Sequence, residues 1–220
     1  MAPATILIMP EKLLFIPWFA GILYGSIPFF WLAIHPLAGR WQKMQRSPYR
    51  VLLPLWAVMI AVLGGVTLPW QAQRIYTTWW AWLPAFPFFW MGLRTYSSIP
   101  SAFGMERLSG QAELRPDGLQ QSLVVSGLHA RMRHPIYFAH LCNLAGWTLG
   151  SGLVVNYGLL AVSCFLTFPL MIWLEERELI KRFGPDYLDY RKAVSAFPGL
   201  MPGSYKSSPH ANTASPLRKR

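Results

Sequence analysis

Four long stretches of the chain contain no Asp, Glu, Lys or Arg: residues 13–34, 51–70, 75–93 and 135–174. A helix needs about 20 apolar residues to cross the hydrocarbon core of a bilayer. Each of the first three stretches matches one crossing. The fourth is too long for one and is interrupted near Ser151-Gly152 and Asn156-Tyr157-Gly158. It reads as a helical hairpin with arms at 136–150 and 154–174. The pattern therefore predicts an all-α membrane protein with about five transmembrane helices, the last two forming the hairpin. Pro17, Pro28, Pro54, Pro84 and Pro87 fall within these stretches and should kink them. Membrane helices tolerate this where neighbours re-satisfy the freed carbonyls. Gly146-xxx-Gly150 is a small-residue spacing that predicts a close helix contact.

Charge placement orients these helices. Arg40, Lys43, Arg46 and Arg50 lie between the first and second stretches, and Arg94, Arg107, Arg115, Arg131 and Arg133 between the third and fourth. Of the 20 Lys and Arg, only Lys12 and Arg74 fall on the opposite side. Basic loops stay in the cytoplasm, so the N-terminus is expected outside and the C-terminus inside. The net charge of +11 is then mainly an orientation signal, with some attraction to anionic membrane lipids, and does not mark a nucleic-acid binder. Charged residues make up 13% against about 25% in soluble domains, which fits a lipid-covered surface. The two Cys exclude a disulfide scaffold and a multi-cysteine metal site, and no metal is expected. The N-terminus lacks the basic start and small-residue cleavage site of a signal peptide. Residues 1–202 read as one integral-membrane domain, and 203–220 as a disordered basic tail. No obligate protein partner is evident.

Polar residues concentrate in two regions. In the first, residues 94–134, Arg115-Pro116-Asp117-Gly118 is a turn signal, and Leu119 to Val125 suits a short extended segment. Arg133 and His134 then stand immediately before Pro135, which suits a first helical turn. In the second, Glu175 and Glu176 follow Leu174 at the end of the last apolar stretch, where a carboxylate needs pairing or water. Gly184-Pro185 predicts a helix stop, and a second helix is expected from Asp186 to Val194 with Tyr187 and Tyr190 on one face. A hairpin brings its two cytoplasmic ends together. Arg133 and His134 are thus expected beside Glu175 and Glu176, ringed by Tyr137, Tyr187 and Tyr190. Such a pocket suits a zwitterionic, aromatic-bearing cofactor.

These regions carry a family resemblance. Leu123-Val124-Val125-Ser126-Gly127-Leu128-His129-Ala130-Arg131-Met132-Arg133-His134-Pro135-Ile136-Tyr137 resembles the "LV-x-SG-x-Y-x-x-x-RHP-x-Y" segment of integral-membrane methyltransferases. Glu175-Glu176, Leu179, Phe183-Gly184, Tyr187 and Tyr190 resemble their "EE-x-x-L-x-x-x-FG-x-x-Y-x-x-Y" segment. The family includes isoprenylcysteine carboxyl methyltransferases and phospholipid methyltransferases. The resemblance covers residues 123–198. It implies S-adenosylmethionine as cofactor, bound from the cytosol, and a lipophilic small-molecule or lipidated acceptor entering from the bilayer. It implicates Arg133, His134, Tyr137, Glu175, Glu176, Tyr187 and Tyr190 in holding the cofactor. Glu175 or Glu176 would meet the ammonium or the ribose hydroxyls, Arg133 or His134 the carboxylate, and a tyrosine ring the sulfonium.

The sequence departs from that family at three places. His129 stands where Tyr is usual, and Ala139 where Gly is common. In the isoprenylcysteine enzymes an "RVP" segment follows the second tyrosine, whereas here Ala193 and Ser195 replace its Arg and Pro. Arg191 or Lys192 would have to meet the acceptor from a different register, which argues against a prenylated cysteine. Transfer to a carboxylate needs no base and can be driven by positioning. An amine or phenol acceptor would need one, for which His129, His134 or a glutamate is available. Arg191 completes the candidate catalytic set. Two alternatives are a membrane reductase using NADPH, like the sterol reductases, and a non-catalytic membrane binding module. Outside the motifs, His140 reads as a packed or pore-facing polar residue, His35 as a helix cap, and Cys142 and Cys164 as buried thiols.

Overall fold

The computed structural model describes residues 10–44, 46–99, 114 and 123–198. The Arg115–Gly118 turn, most of the extended segment expected before Val125, and the tail at 203–220 lie outside these residues. Among the described residues the chain is helical, with one isolated antiparallel bridge between Arg74 and Leu153. The principal helices are α1 (Phe15–Ile34), α2 (Tyr49–Thr67), α3 (Trp82–Ser97), α4 (Pro135–Ser151), α5 (Val154–Phe183) and α6 (Pro185–Ala193). Three helical segments are long and apolar enough to cross a membrane: Glu11–Trp41 around α1, Tyr49–Trp70 around α2, and α5. At 16 and 17 residues, α3 and α4 are shorter.

Two sequence expectations are adjusted. The third charge-free stretch is not helical from its start, because residues 75–78 lie outside any helix. The Ile75 N–H donates to the Gly152 carbonyl at 2.8 Å, and the Val154 N–H to the Gln73 carbonyl at 3.0 Å. This strap occupies residues that otherwise suit a helix. The hairpin break is also narrower than expected. It falls at Gly152-Leu153 alone, and Asn156-Tyr157-Gly158 lie inside α5. Gly152 ends α4 at φ +69°, and a Cβ there would sit 2.8 Å from the Tyr76 carbonyl oxygen. Only glycine satisfies both conditions.

α1 is the hub, packing on α2, α4 and α5. Asn156 of α5 donates to the carbonyl of Pro17 at 2.9 Å. The Gly146-xxx-Gly150 spacing on α4 admits aromatic rings rather than a bare backbone: Gly146 faces Phe89, and Gly150 faces Trp82 of α3. At one end of the bundle Trp18, Ile22, Leu153 and Val155 form a cluster, and Trp18 Nε1 donates to Thr67 Oγ1 at 3.1 Å. At the other end lie three clusters: Ile34, Leu52 and Leu114; Tyr137, Phe168 and Met171; and Tyr187, Tyr190 and Val194. α5 contains a wide turn at Ser163–Thr167, and its charge-free part ends at Leu174. The charged continuation from Glu175 carries the candidate site.

Candidate functional site

The site is built where α4 begins and the charged part of α5 continues past its apolar part. Pro135 occupies the first turn of α4, where a missing N–H loses no hydrogen bond. That leaves the preceding residues, Arg133 and His134, at the helix mouth. The chain leaving α6 returns beside them: the Arg133 N–H donates to the Ser195 carbonyl at 2.9 Å, and the His134 N–H to the Ala196 carbonyl at 3.2 Å. Gly184 makes this return possible. At φ +56° it turns the chain between α5 and α6, so α6 lies back on α5.

Glu175 and Glu176 are consecutive on α5, so their side chains diverge by about 100°. They straddle the imidazole of His134. Nδ1 lies 3.2 Å from Glu175 Oε2, and Nε2 lies 3.2 Å from Glu176 Oε1. A neutral imidazole has one N–H, and only the imidazolium presents donors on both sides. Burial opposes this charge, but the two carboxylates overcome it and hold the His134 pKa above its ordinary value. Burial likewise pushes both carboxyls up. His134 more than reverses this for Glu175, which is held at about 2. His134 and Arg133 do the same for Glu176, which is held below the usual carboxylate range. The His134 ring stacks on Tyr137, with centroids 5.4 Å apart and planes 6° from parallel.

Arg133 is engaged at all three of its guanidinium nitrogens. Nε and Nη2 donate to Glu176 Oε1 at 2.9 and 2.6 Å, while Nη1 donates to the carbonyls of Arg191 (3.2 Å) and Val194. Glu176, itself buried, also meets Nε of Arg191 through Oε2 at 3.3 Å. The Arg191 side chain is 48% exposed, so of the three cations touching Glu176 it is the one open to an incoming group. Tyr190 Oη donates to the backbone carbonyl of His129 at 2.6 Å. His129 thus contributes its main chain here, and its ring is buried. Tyr187 and Tyr190 pack edge to face at 6.0 Å. Burial and the neighbouring carboxylates raise the Tyr187 pKa, so its hydroxyl stays protonated.

All nine residues singled out by sequence fall in this one region. Two roles differ from expectation. Arg133 and Glu176 bind each other rather than standing apart to grip a guest between them, and His134 is held between two carboxylates. A further residue joins the region: His35, expected as a helix cap and found at the C-cap of α1, meets Glu178 Oε2 through Nδ1 at 2.9 Å, and Glu178 also pairs with Arg182. Glu178 stands one turn from Glu175, so the i,i+3 spacing of acids was the available signal. Nothing in sequence linked that face to His35.

Two buried polar atoms of the site have no aligned hydrogen-bond partner: Glu175 Oε2 and Tyr187 Oη. Glu175 Oε2 is at ion-pair distance from His134 but out of line for a hydrogen bond. Such groups are costly to bury unless a ligand or water completes them. No group of three His, Cys, Asp or Glu side chains among the described residues is arranged to hold a metal ion. Comparison with protein-family models, with curated proteins and with solved structures finds no match to this chain.

Proposed function

We propose that the chain is a five-pass membrane protein, N-terminus outside and C-terminus in the cytoplasm, that transfers a methyl group from S-adenosylmethionine to a membrane-embedded or lipid-like acceptor. The observation that carries this reading is the buried, unpartnered Tyr187 Oη, together with a Glu175 Oε2 that is ion-paired to His134 without an aligned hydrogen bond, inside the cluster formed by both motif segments. An ammonium or ribose hydroxyl would complete Glu175 Oε2, and Tyr187 Oη would add a donor. The carboxylate of the methionine part would meet Arg191, because the polar edges of Arg133 and His134 face protein partners. The cofactor supplies an electrophilic methyl on a sulfonium. Arg133, Glu176 and the carbonyls of Arg191 and Val194 hold α5, α6 and the mouth of α4 in one geometry, which favours positioning catalysis. The five-pass reading is supported by the position of Lys12 and Arg74, the two basic residues expected outside, at the end of the bundle opposite the site.

Titration calorimetry of the purified full chain tests the reading. Binding of S-adenosylmethionine and not of NADPH is expected, with binding weakened by Glu175→Gln. Binding of NADPH alone would replace this reading with a reductase. Binding of neither would favour a non-catalytic module, for which the mutual pairing of Arg133, His134 and Glu176 would serve as a structural latch. Orientation is tested by a cysteine placed at Ser207, which should react with an impermeant reagent only from the cytoplasmic side.

A further inference from the structure

A second polar group lies deeper in the bundle. α1 and α3 both pack on α4, yet they scarcely touch each other among the described residues. Over that face of α4, three polar rings from three helices converge: Tyr24 of α1, Tyr96 of α3 and His140 of α4. Tyr96 Oη is hydrogen-bonded to His140 Nδ1, with ring centroids 5.5 Å apart. Tyr24 meets the His140 ring edge-on at 6.0 Å. Each of the three is only partly buried. His140 stands six residues beyond His134, about 9 Å along the helix axis. No ion pair among the described residues includes any of the three.

The geometry points to a binding site for the head of an uncharged lipophile that carries a hydroxyl or phenol. Polar side chains within bilayer-spanning helices are expensive and tend to mark pathways for ligands. This group offers hydrogen bonds and no charge. With Tyr96 donating to Nδ1 and Asn143 reaching the same hydroxyl, its oxygen keeps one lone pair for an incoming O–H, and the Tyr24 hydroxyl can donate or accept. A carboxylate or phosphate head would find no cation among these three side chains, a desolvation that their hydrogen bonds alone do not offset. A purely apolar ligand would leave the exposed edges of these hydroxyls without partners. Such a molecule would approach between α1 and α3, which scarcely touch among the described residues, its tail remaining among the lipid-facing side chains. The inference rests on the proposed methyl transfer only in naming this lipophile as the acceptor.

The test uses the full chain, labelled with [15N]histidine, in lipid nanodiscs. The His140 signal is identified by its loss in His140→Gln. Added 4-octylphenol should shift the His140 ring nitrogens saturably, while octylbenzene and decanoate at the same concentration should not. Tyr96→Phe should weaken the response roughly tenfold, about one hydrogen bond's worth. Tyr24→Phe, which keeps the ring, gives a second and smaller loss should Tyr96→Phe fail to fold. An equal response to octylbenzene would reduce the site to an apolar gap. A stronger response to decanoate would make it an anion site, and silence towards octylphenol would make the cluster packing alone. S-adenosylmethionine binding measured on the same sample reports on the methyltransferase reading independently. Octylphenol binding without cofactor binding would overturn that reading and leave this site standing.

Discussion

The two ends of the bundle are closed by different physics. At one end, Arg133, His134, Arg191, Glu175 and Glu176 join three segments through ions. At the other, residues 73–76 are strapped to the α4–α5 turn by backbone hydrogen bonds, by Gly152, and by Tyr76, whose hydroxyl donates to the Leu149 carbonyl at 2.5 Å and lies 2.9 Å from the hydroxyl of Tyr157. No charged side chain contributes a hydrogen bond or ion pair to that strap among the described residues. One end therefore carries groups that titrate, and the other is held by neutral hydrogen bonds. The contrast gathers the titratable groups at one end and leaves the other neutral.

The largest effect should come from Glu176→Gln. It leaves Arg133, Arg191 and His134 short of one carboxylate, and breaking a buried pair costs about 3–5 kcal/mol. Unfolding in mixed micelles should show this loss, and a stability near wild type would mean the network is not a latch. Gly152→Ala should rank next. A left-handed alanine costs about 1–2 kcal/mol, and contact with the Tyr76 carbonyl adds to it. This loss should be the same at every pH, whereas the ionic end should titrate.

The sign of that titration follows from the shifts. His134, raised above its ordinary 6.5, stabilises fully below that value and loses its contribution as pH rises through its folded pKa. Glu175 and Glu176, lowered from 4.5, stabilise above that value and lose their contribution as pH falls through their folded pKa values, about 2 for Glu175. Wild-type stability should thus be greatest from about 4.5 to 6.5 and fall on both sides, while its difference from the Gly152→Ala variant stays flat. A flat profile in His134→Gln above 6.5 would assign the alkaline limb to that ring.

The smallest change in stability should come from Tyr187→Phe. Its hydroxyl is buried without a partner, so removing it should be neutral or stabilising by about 1 kcal/mol. S-adenosylmethionine affinity should fall in the same variant, measured by calorimetry. Stability and affinity falling together would instead make the hydroxyl part of the scaffold.

Much of the architecture was legible in the chain. Charge-free runs mark the apolar helices because a lipid-facing or buried helix cannot carry ions at that depth. Gly184-Pro185 announced the turn before α6, since glycine permits positive φ and proline starts a helix. The proximity of Arg133-His134 and Glu175-Glu176 followed from hairpin topology alone. Sequence could not show that these dyads would bind one another, that Arg191 would be the more open cation, or that His129 would offer its carbonyl. Nor could it show that Tyr24, Tyr96 and His140 would meet, because they belong to three helices with no local spacing in common. Periodicity and charge are properties of neighbours along the chain, so they determine helices and ends. Which donor meets which acceptor depends on helix rotation and on the return of the chain after α6, and only tertiary packing decides those.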